Sequence, residues 1–237
     1  MKIIPAIDII DGKCVQLVGG KPGTEKFYGD PVETAGKWES MGAELLHVID
    51  LDAALEKGDN LDKVLEIKDS AGIPVQFGGG IRSYEKAVEL LSHGIDRVIL
   101  GTLAVNEYPE FGILNRLAEE FGKDRVIAAI DSKDGKVVFR GWQERTQFLA
   151  SEFVKNFKPG LIWGFLYTDV GVEGKMRGIE IGGIREVVDA ANLPVIVSGG
   201  ISSIGDIKEI RDAGAWGVVL GKALYEGKIN FYYVKDF

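Results

Sequence analysis

Apolar residues fall into short, nearly unbroken runs, separated by longer stretches in which they recur every three or four positions. The runs are Lys2–Asp8, Leu45–Asp50, Pro74–Phe77, Arg97–Leu100, Arg125–Ile130, Leu161–Thr168, Pro194–Ser198 and Trp216–Leu220. Most are apolar throughout rather than alternating, as expected of parallel strands buried on both faces. Helical spacing covers Val32–Met41, Leu61–Ala71, Tyr84–Ser92, Phe111–Phe121, Ala150–Phe157, Gly182–Ala191 and Ile204–Ala213. Several of these stretches end on glycine, at Gly72, Gly94, Gly122 and Gly214, the residue that most readily closes a helix. A strand followed by helical chain, eight times over, predicts an α/β fold of the (β/α)8 barrel type.

The pattern also repeats. Pro74-Val75 and Gly79-Gly80-Ile81 return as Pro194-Val195 and Gly199-Gly200-Ile201, 120 residues later. Ser83, Gly94 and Gly101 keep the same offset to Ser203, Gly214 and Gly221. Ala6-Ile7-Asp8 with Asp11-Gly12-Lys13 returns as Ala129-Ile130-Asp131 with Asp134-Gly135-Lys136, and Gly42 and Asp50 are echoed by Gly160 and Thr168. Two homologous halves, about 1–122 and 123–237, are therefore expected within a single barrel domain. A doubly wound open sheet does not predict this echo, and no GxGxxG follows the first strand.

In such a barrel the working face lies at the C-terminal ends of the strands. The first and fifth runs end at Asp8 and Asp131, and the sixth at Thr168-Asp169. Glycine pairs follow the third and seventh, and Gly101-Thr102 and Gly221-Lys222 follow the fourth and eighth. Backbone N–H groups at such turns can approach a phosphate without a Cβ in the way. Two expected phosphate sites result, Gly79, Gly80, Gly101 and Thr102 against Gly199, Gly200, Gly221 and Lys222. Their partner would be a small-molecule bisphosphate spanning the mouth. Asp8 and Asp131 would face each other between them, as an acid and a base whose environments set their pKa values apart. Asp11-Gly12 and Asp134-Gly135 read instead as hairpin turns. His47, inside an apolar run, reads as a packed strand residue, and Cys14 as a buried small one. Trp142 is either a stacking surface for a planar ligand or a loop anchor, and Lys175, Met176 and Arg177 either a lid or a solvated loop.

Composition narrows the function classes. The 237 residues are 46% hydrophobic and 27% charged, with a net charge of −8. That balance argues against a general nucleic-acid binder. No run approaches the roughly 18 apolar residues of a membrane span. One cysteine allows no internal disulfide and fits a reducing cytoplasm. No His, Cys and carboxylate spacing suggests a metal. No cofactor and no obligate protein partner are expected.

With these residues placed, the chain resembles the phosphoribosylformimino-aminoimidazole-carboxamide ribotide isomerases of histidine biosynthesis. The resemblance runs through Ile4-Pro5-Ala6-Ile7-Asp8, His47-Val48-Ile49-Asp50-Leu51-Asp52, Gly78-Gly79-Gly80-Ile81-Arg82-Ser83 and Asp131 with Gly141-Trp142. It continues through Thr168-Asp169, Ser198-Gly199-Gly200-Ile201-Ser202-Ser203 and Gly221 to Gly227, so it spans nearly the whole chain. It implies a cofactor-free Amadori rearrangement of an aminoaldose carrying a phosphate at each end. It also implies Asp8 as base, Asp131 as acid or essential partner, Thr168 as a strand-end partner, and Arg82 and Trp142 as substrate contacts.

Two positions depart from the family pattern. Glu173 stands where an aspartate also proposed as the acid is usual, and Gln16 where an arginine is common. The added C–C bond reaches about 1.5 Å further, and shifts of about that size in a catalytic group can cost on the order of 10²-fold in rate. The acid is thus either Asp131 or Glu173. Three other functions remain: a dual-substrate isomerase that also takes phosphoribosyl-anthranilate, the cyclase of the same pathway, and a non-catalytic bisphosphate-binding barrel.

Overall fold

The computed structural model describes residues 1–175 and 178–237. Met176 and Arg177, two of the three lid candidates, lie outside the described residues. Twelve strands are present among those described: β1 (Lys2–Ile10), β2 (Lys13–Val18), β3 (Lys21–Phe27), β4 (Leu46–Asp50), β5 (Val75–Gly78), β6 (Arg97–Leu100), β7 (Val126–Lys133), β8 (Lys136–Phe139), β9 (Glu144–Leu149), β10 (Gly164–Asp169), β11 (Val195–Ser198) and β12 (Gly217–Leu220). Eight of them pair in parallel in the order β10-β11-β12-β1-β4-β5-β6-β7, and β7 returns to β10. That last pairing closes the sheet into a (β/α)8 barrel and rules out the open doubly wound alternative. The eight apolar runs are these eight strands.

Alternation along each strand sorts residues between two cores. On β1, Ile3, Ile7 and Ile9 pack outward under the helices, while Ile4 and Ala6 fill the barrel interior. Ile127 and Ala129 of β7, Leu166 of β10, Ile99 of β6, Ile196 of β11 and Val219 of β12 join them inside. Trp163 and Trp216 pack at the base of this interior cluster, ring centroids 4.6 Å apart, and the Arg97 guanidinium covers the Trp163 face at 4.1 Å. Continuing the period of two from Ala6 and Ala129 makes Asp8 and Asp131 the next inward positions, at the mouth.

The halves match in backbone as well as in sequence. Ser83 and Ser203 cap helices Tyr84–Ser92 and Ile204–Asp212 with nearly equal dihedrals, φ −139° and ψ 163° against φ −146° and ψ 162°. Gly101 and Gly221 precede helices Thr102–Asn106 and Lys222–Tyr225 in the same unusual conformation, with ψ of −91° and −104°. Asp11 and Asp134 take φ values of 49° and 50° in the expected hairpin turns, the left-handed backbone of a type I′ connection. Each hairpin, however, carries a third strand that the hydrophobic pattern does not announce. β3 and β9 are almost wholly exposed, so neither has an apolar face to read.

Candidate active site

Four short elements bring the expected chemistry together. Asp8 lies on β1 opposite Val15 of β2 and Ile49 of β4. Asp131 on β7 is in register with Thr168 on β10, and Thr168 is buried beside it. Glu173 comes from the loop after β10 and lies over the glycines after β11, because a Cβ on Gly199 would sit 2.9 Å from Glu173 Oε2. The three carboxylates sense one another: the charge of Glu173 acts on Asp8, and that of Asp131 acts on Glu173.

Their surroundings differ in a way that sets their proton affinities. Asp8 accepts one hydrogen bond, from Gln16 Nε2 at 3.1 Å. Burial, reinforced by Glu173, pushes its carboxyl up to about 7. Asp131 Oδ2 accepts from the Trp142 indole N–H at 2.8 Å, and Thr168 lies in register beside it. Burial raises the Asp131 carboxyl above its ordinary value, and these neighbours offset part of that push. Burial and then the charge of Asp131 raise Glu173 to about 7, with the Gly174 backbone acting in the opposite direction. Among the described residues its Oε2 is buried without a hydrogen-bond partner. An unpaired buried carboxylate oxygen is costly when ionised and tolerable when protonated.

Three loops meet over these groups. Residues Arg140, Gly141 and Trp142 all adopt positive φ, which turns the indole back toward Asp131. The Trp142 ring also occupies the space above Gly20, where any side chain would overlap it. Gly174 packs against the backbone of Leu17, Val18 and Gly19 in the first hairpin. The Lys222 ammonium donates to the Gly174 carbonyl at 3.3 Å, and Lys175 to that of Gly171 at 2.5 Å. Lys26 and Tyr28 of the hairpin both bind Glu226 Oε1, at 2.7 and 2.8 Å, pinning it beside the helix that follows β12.

The glycine sets sit where the spacing placed them. Gly79 and Gly199 have φ of 106° and 95°, and Gly80 and Gly200 of 67° and 72°, a backbone that side chains disfavour. In the first half, the Thr102 hydroxyl accepts from Arg140 N–H at 2.9 Å and so ties the Trp142 loop to the end of β6. Arg82 is turned to the rim: it donates to the carbonyls of Ala53 and Ala54, each at 3.0 Å, and pairs with Glu56. In this conformation it fastens the loop after β4.

Other polar candidates resolve as structure. His47 is buried against Gln76 Nε2 at 2.8 Å and held neutral, its pKa pushed down to about 4 by burial. Cys14 is buried against the Tyr225 hydroxyl, its thiol pushed up to about 11. His93 caps the C-terminus of its helix. Asp50 and Asp52 form a buried network with Asn60, which binds Asp50 Oδ1 at 2.8 Å and Asp52 Oδ2 at 2.9 Å and accepts from Gly12 N–H. This network anchors the first hairpin turn. Asn60 lies in a polar loop where nothing in the sequence marks it out.

Among the described residues there is no cluster of metal-ligating side chains, and no helix is long and apolar enough to cross a membrane. The chain is similar to proteins named 1-(5-phosphoribosyl)-5-((5-phosphoribosylamino)methylideneamino)imidazole-4-carboxamide isomerase. That of Methanothermobacter thermautotrophicus is 47% identical over 231 residues, covering 97% of this chain and 95% of its own. The Methanocaldococcus jannaschii protein is 46% identical and covers 97% and 96%, and the Persephonella marina protein 44%, covering 99% and 98%. The model of the histidine biosynthesis protein family matches residues 2–230, and the chain belongs to that family.

Proposed function

We propose that this chain is the isomerase its relatives are named for, acting on the imidazole-4-carboxamide that carries two phosphoribosyl groups. The observation that carries this reading is the trio Asp8, Asp131 and Glu173, held between two matched glycine loops. Each loop offers backbone N–H groups to one phosphate: Gly79, Gly80, Gly101 and Thr102 to one end, Gly199, Gly200, Gly221 and Lys222 to the other. The cytoplasm is the compartment in which this substrate would be met.

The chemistry is an internal redox step in which C1′ of the sugar is reduced and C2′ oxidised. An acid protonates the ring oxygen, the C1′–O bond breaks, and the aminoaldose opens to an imine. A base removes the C2′ proton, and the enolamine takes a proton at C1′ while its 2′-hydroxyl gives one up, leaving the aminoketose. Both groups must titrate near the working pH to be effective. Asp8 supports the base role because its proton affinity lies close to neutrality. Glu173 supports the acid role because, among the described residues, Oε2 has no donor to hold it ionised. Asp131, which accepts from the Trp142 indole, is assigned the charge that keeps the proton on Glu173. The Trp142 indole also presents a face to the planar imidazole.

Turnover of the named bisphosphate by the purified chain tests the reading, together with Asp8→Asn. The variant is expected to bind the bisphosphate within a fewfold of wild type while turnover falls on the order of 10³-fold, the range for loss of a general base. Tight binding without turnover in the wild-type chain would leave a binding barrel.

A further inference from the structure

Gln16 touches both halves of the mechanism. It lies on β2, is only 6% exposed, and its Nε2 donates to Asp8 Oδ2 at 3.1 Å. Its amide oxygen lies against the eighth strand end, because a Cβ on Gly221 would come within 2.5 Å of Oε1. No other hydrogen bond to the Asp8 side chain occurs among the described residues. One buried amide therefore links the base to a glycine of the second phosphate loop.

We propose that Gln16 is the positioning residue of Asp8, holding one carboxylate oxygen toward the Gly221 loop and leaving the other free for the C2′ proton. This inference rests on Asp8 being the base. A neutral donor suits the task. It fixes the rotamer and favours the ionised form modestly.

The other groups around Asp8 are consistent with that part. Glu173, from the loop after β10, opposes ionisation of Asp8. Cys14 of β2 and Tyr225 of helix Lys222–Tyr225 both sense the Asp8 charge, and neither donates to it. Lys222 of the second glycine set is engaged with the Gly174 carbonyl, and the charge of Asp131 on β7 acts on Glu173. Gln16 is the group that pulls Asp8 down.

The test is the pH profile of kcat/KM for wild type, Gln16→Met and Gln16→Glu, with Asp8→Asn alongside and a thermal melt of each. Gln16→Met keeps the length and loses the donor. Its acid limb is expected to move up by about one pH unit, with kcat/KM at pH 7 down about tenfold and the alkaline limb unmoved. Gln16→Glu adds a like charge and moves the acid limb further in the same direction. A purely packing role would lower the rate and shift neither limb in Gln16→Met, so an acid limb at the wild-type position in that variant overturns the proposal. If Gln16→Met does not fold, Gln16→Leu, which also removes the donor without adding a charge, decides in the same way. Turnover retained in Asp8→Asn would instead remove the base assignment, and the role of Gln16 with it.

Discussion

Gly199 and Glu173 approach so closely that a single methyl group on the glycine would stand 2.9 Å from the glutamate Oε2. The carboxyl group proposed as the acid thus rests on a loop proposed to bind phosphate. A dianionic phosphate cannot share that space with an ionised carboxylate. Substrate binding and the protonation or withdrawal of Glu173 are therefore coupled by electrostatics alone.

Gly199→Ala tests the loop. The new Cβ meets Glu173 Oε2 and the Asp169 carbonyl, the latter at 3.0 Å, and the backbone is held at φ +95°. Both effects push the loop away from a bound phosphate. KM is expected to rise on the order of tenfold or more while kcat changes less, since the interaction lost is one of ground-state binding. Steady-state kinetics with an unchanged KM would remove Gly199 from the phosphate site.

Trp142→Phe separates stacking from hydrogen bonding. The phenyl ring still covers Gly20, but Asp131 loses the donor that the indole holds at 2.8 Å. Its proton affinity rises, and the proton kept on Glu173 shifts toward Asp131. An expected fall in kcat on the order of tenfold follows from one lost charge-assisted hydrogen bond. A melting midpoint within about 2 °C of wild type would show that the fold is intact. Unchanged kcat would leave Trp142 as a stacking surface only.

The acid itself is decided by Glu173→Gln and Asp131→Asn. Glu173→Gln is expected to lose about 10²–10⁴-fold in kcat at every pH, the usual range for a general acid. Asp131→Asn removes the charge that raises Glu173, so its alkaline limb is expected to move to lower pH with activity surviving below it. Reversal of the two outcomes would make Asp131 the acid.

Much of this arrangement is legible in the sequence, for a physical reason. Parallel strands buried on both faces leave unbroken apolar runs, and duplication prints each strand end twice, so Asp8 with Asp131 and Gly79-Gly80 with Gly199-Gly200 identify each other. What the sequence hides is tertiary. β3 and β9 are edge strands without a buried face, and the first hairpin is held in part by Glu226, about 200 residues from Lys26 and Tyr28. Asn60 and Gln16 act through contacts that no spacing encodes. The rim position of Arg82 depends on the carbonyls of Ala53 and Ala54 being free to accept. The acid is likewise invisible at that level, since Asp131 and Glu173 differ in their donors and not in their chemistry.

Crowding of carboxylates has a final consequence for stability. Asp8 and Glu173 each have a folded-state pKa near 7, above their ordinary values of 3.8 and 4.5. The folded chain therefore binds more protons than the unfolded one between about pH 4 and 7. Their favourable contribution is full below pH 4 and is lost as pH rises through 7. Replacing either with its amide removes an ionised, poorly solvated group at high pH and changes little at low pH. Asp8→Asn and Glu173→Gln are each expected to melt about 2–4 °C above wild type at pH 8, corresponding to roughly 1 kcal/mol for a chain of this size, and to converge with it near pH 4. Asp50→Asn, which disturbs a carboxylate fully paired with Asn60 and the Ala53 N–H, is expected to destabilise at both pH values. Calorimetric melts at the two pH values check the sign. A midpoint for the Asp8 and Glu173 variants that is lower at pH 8 than at pH 4, relative to wild type, would mean that these carboxylates are stabilised when ionised, and that the site is not held ready for proton transfer at the expense of the fold.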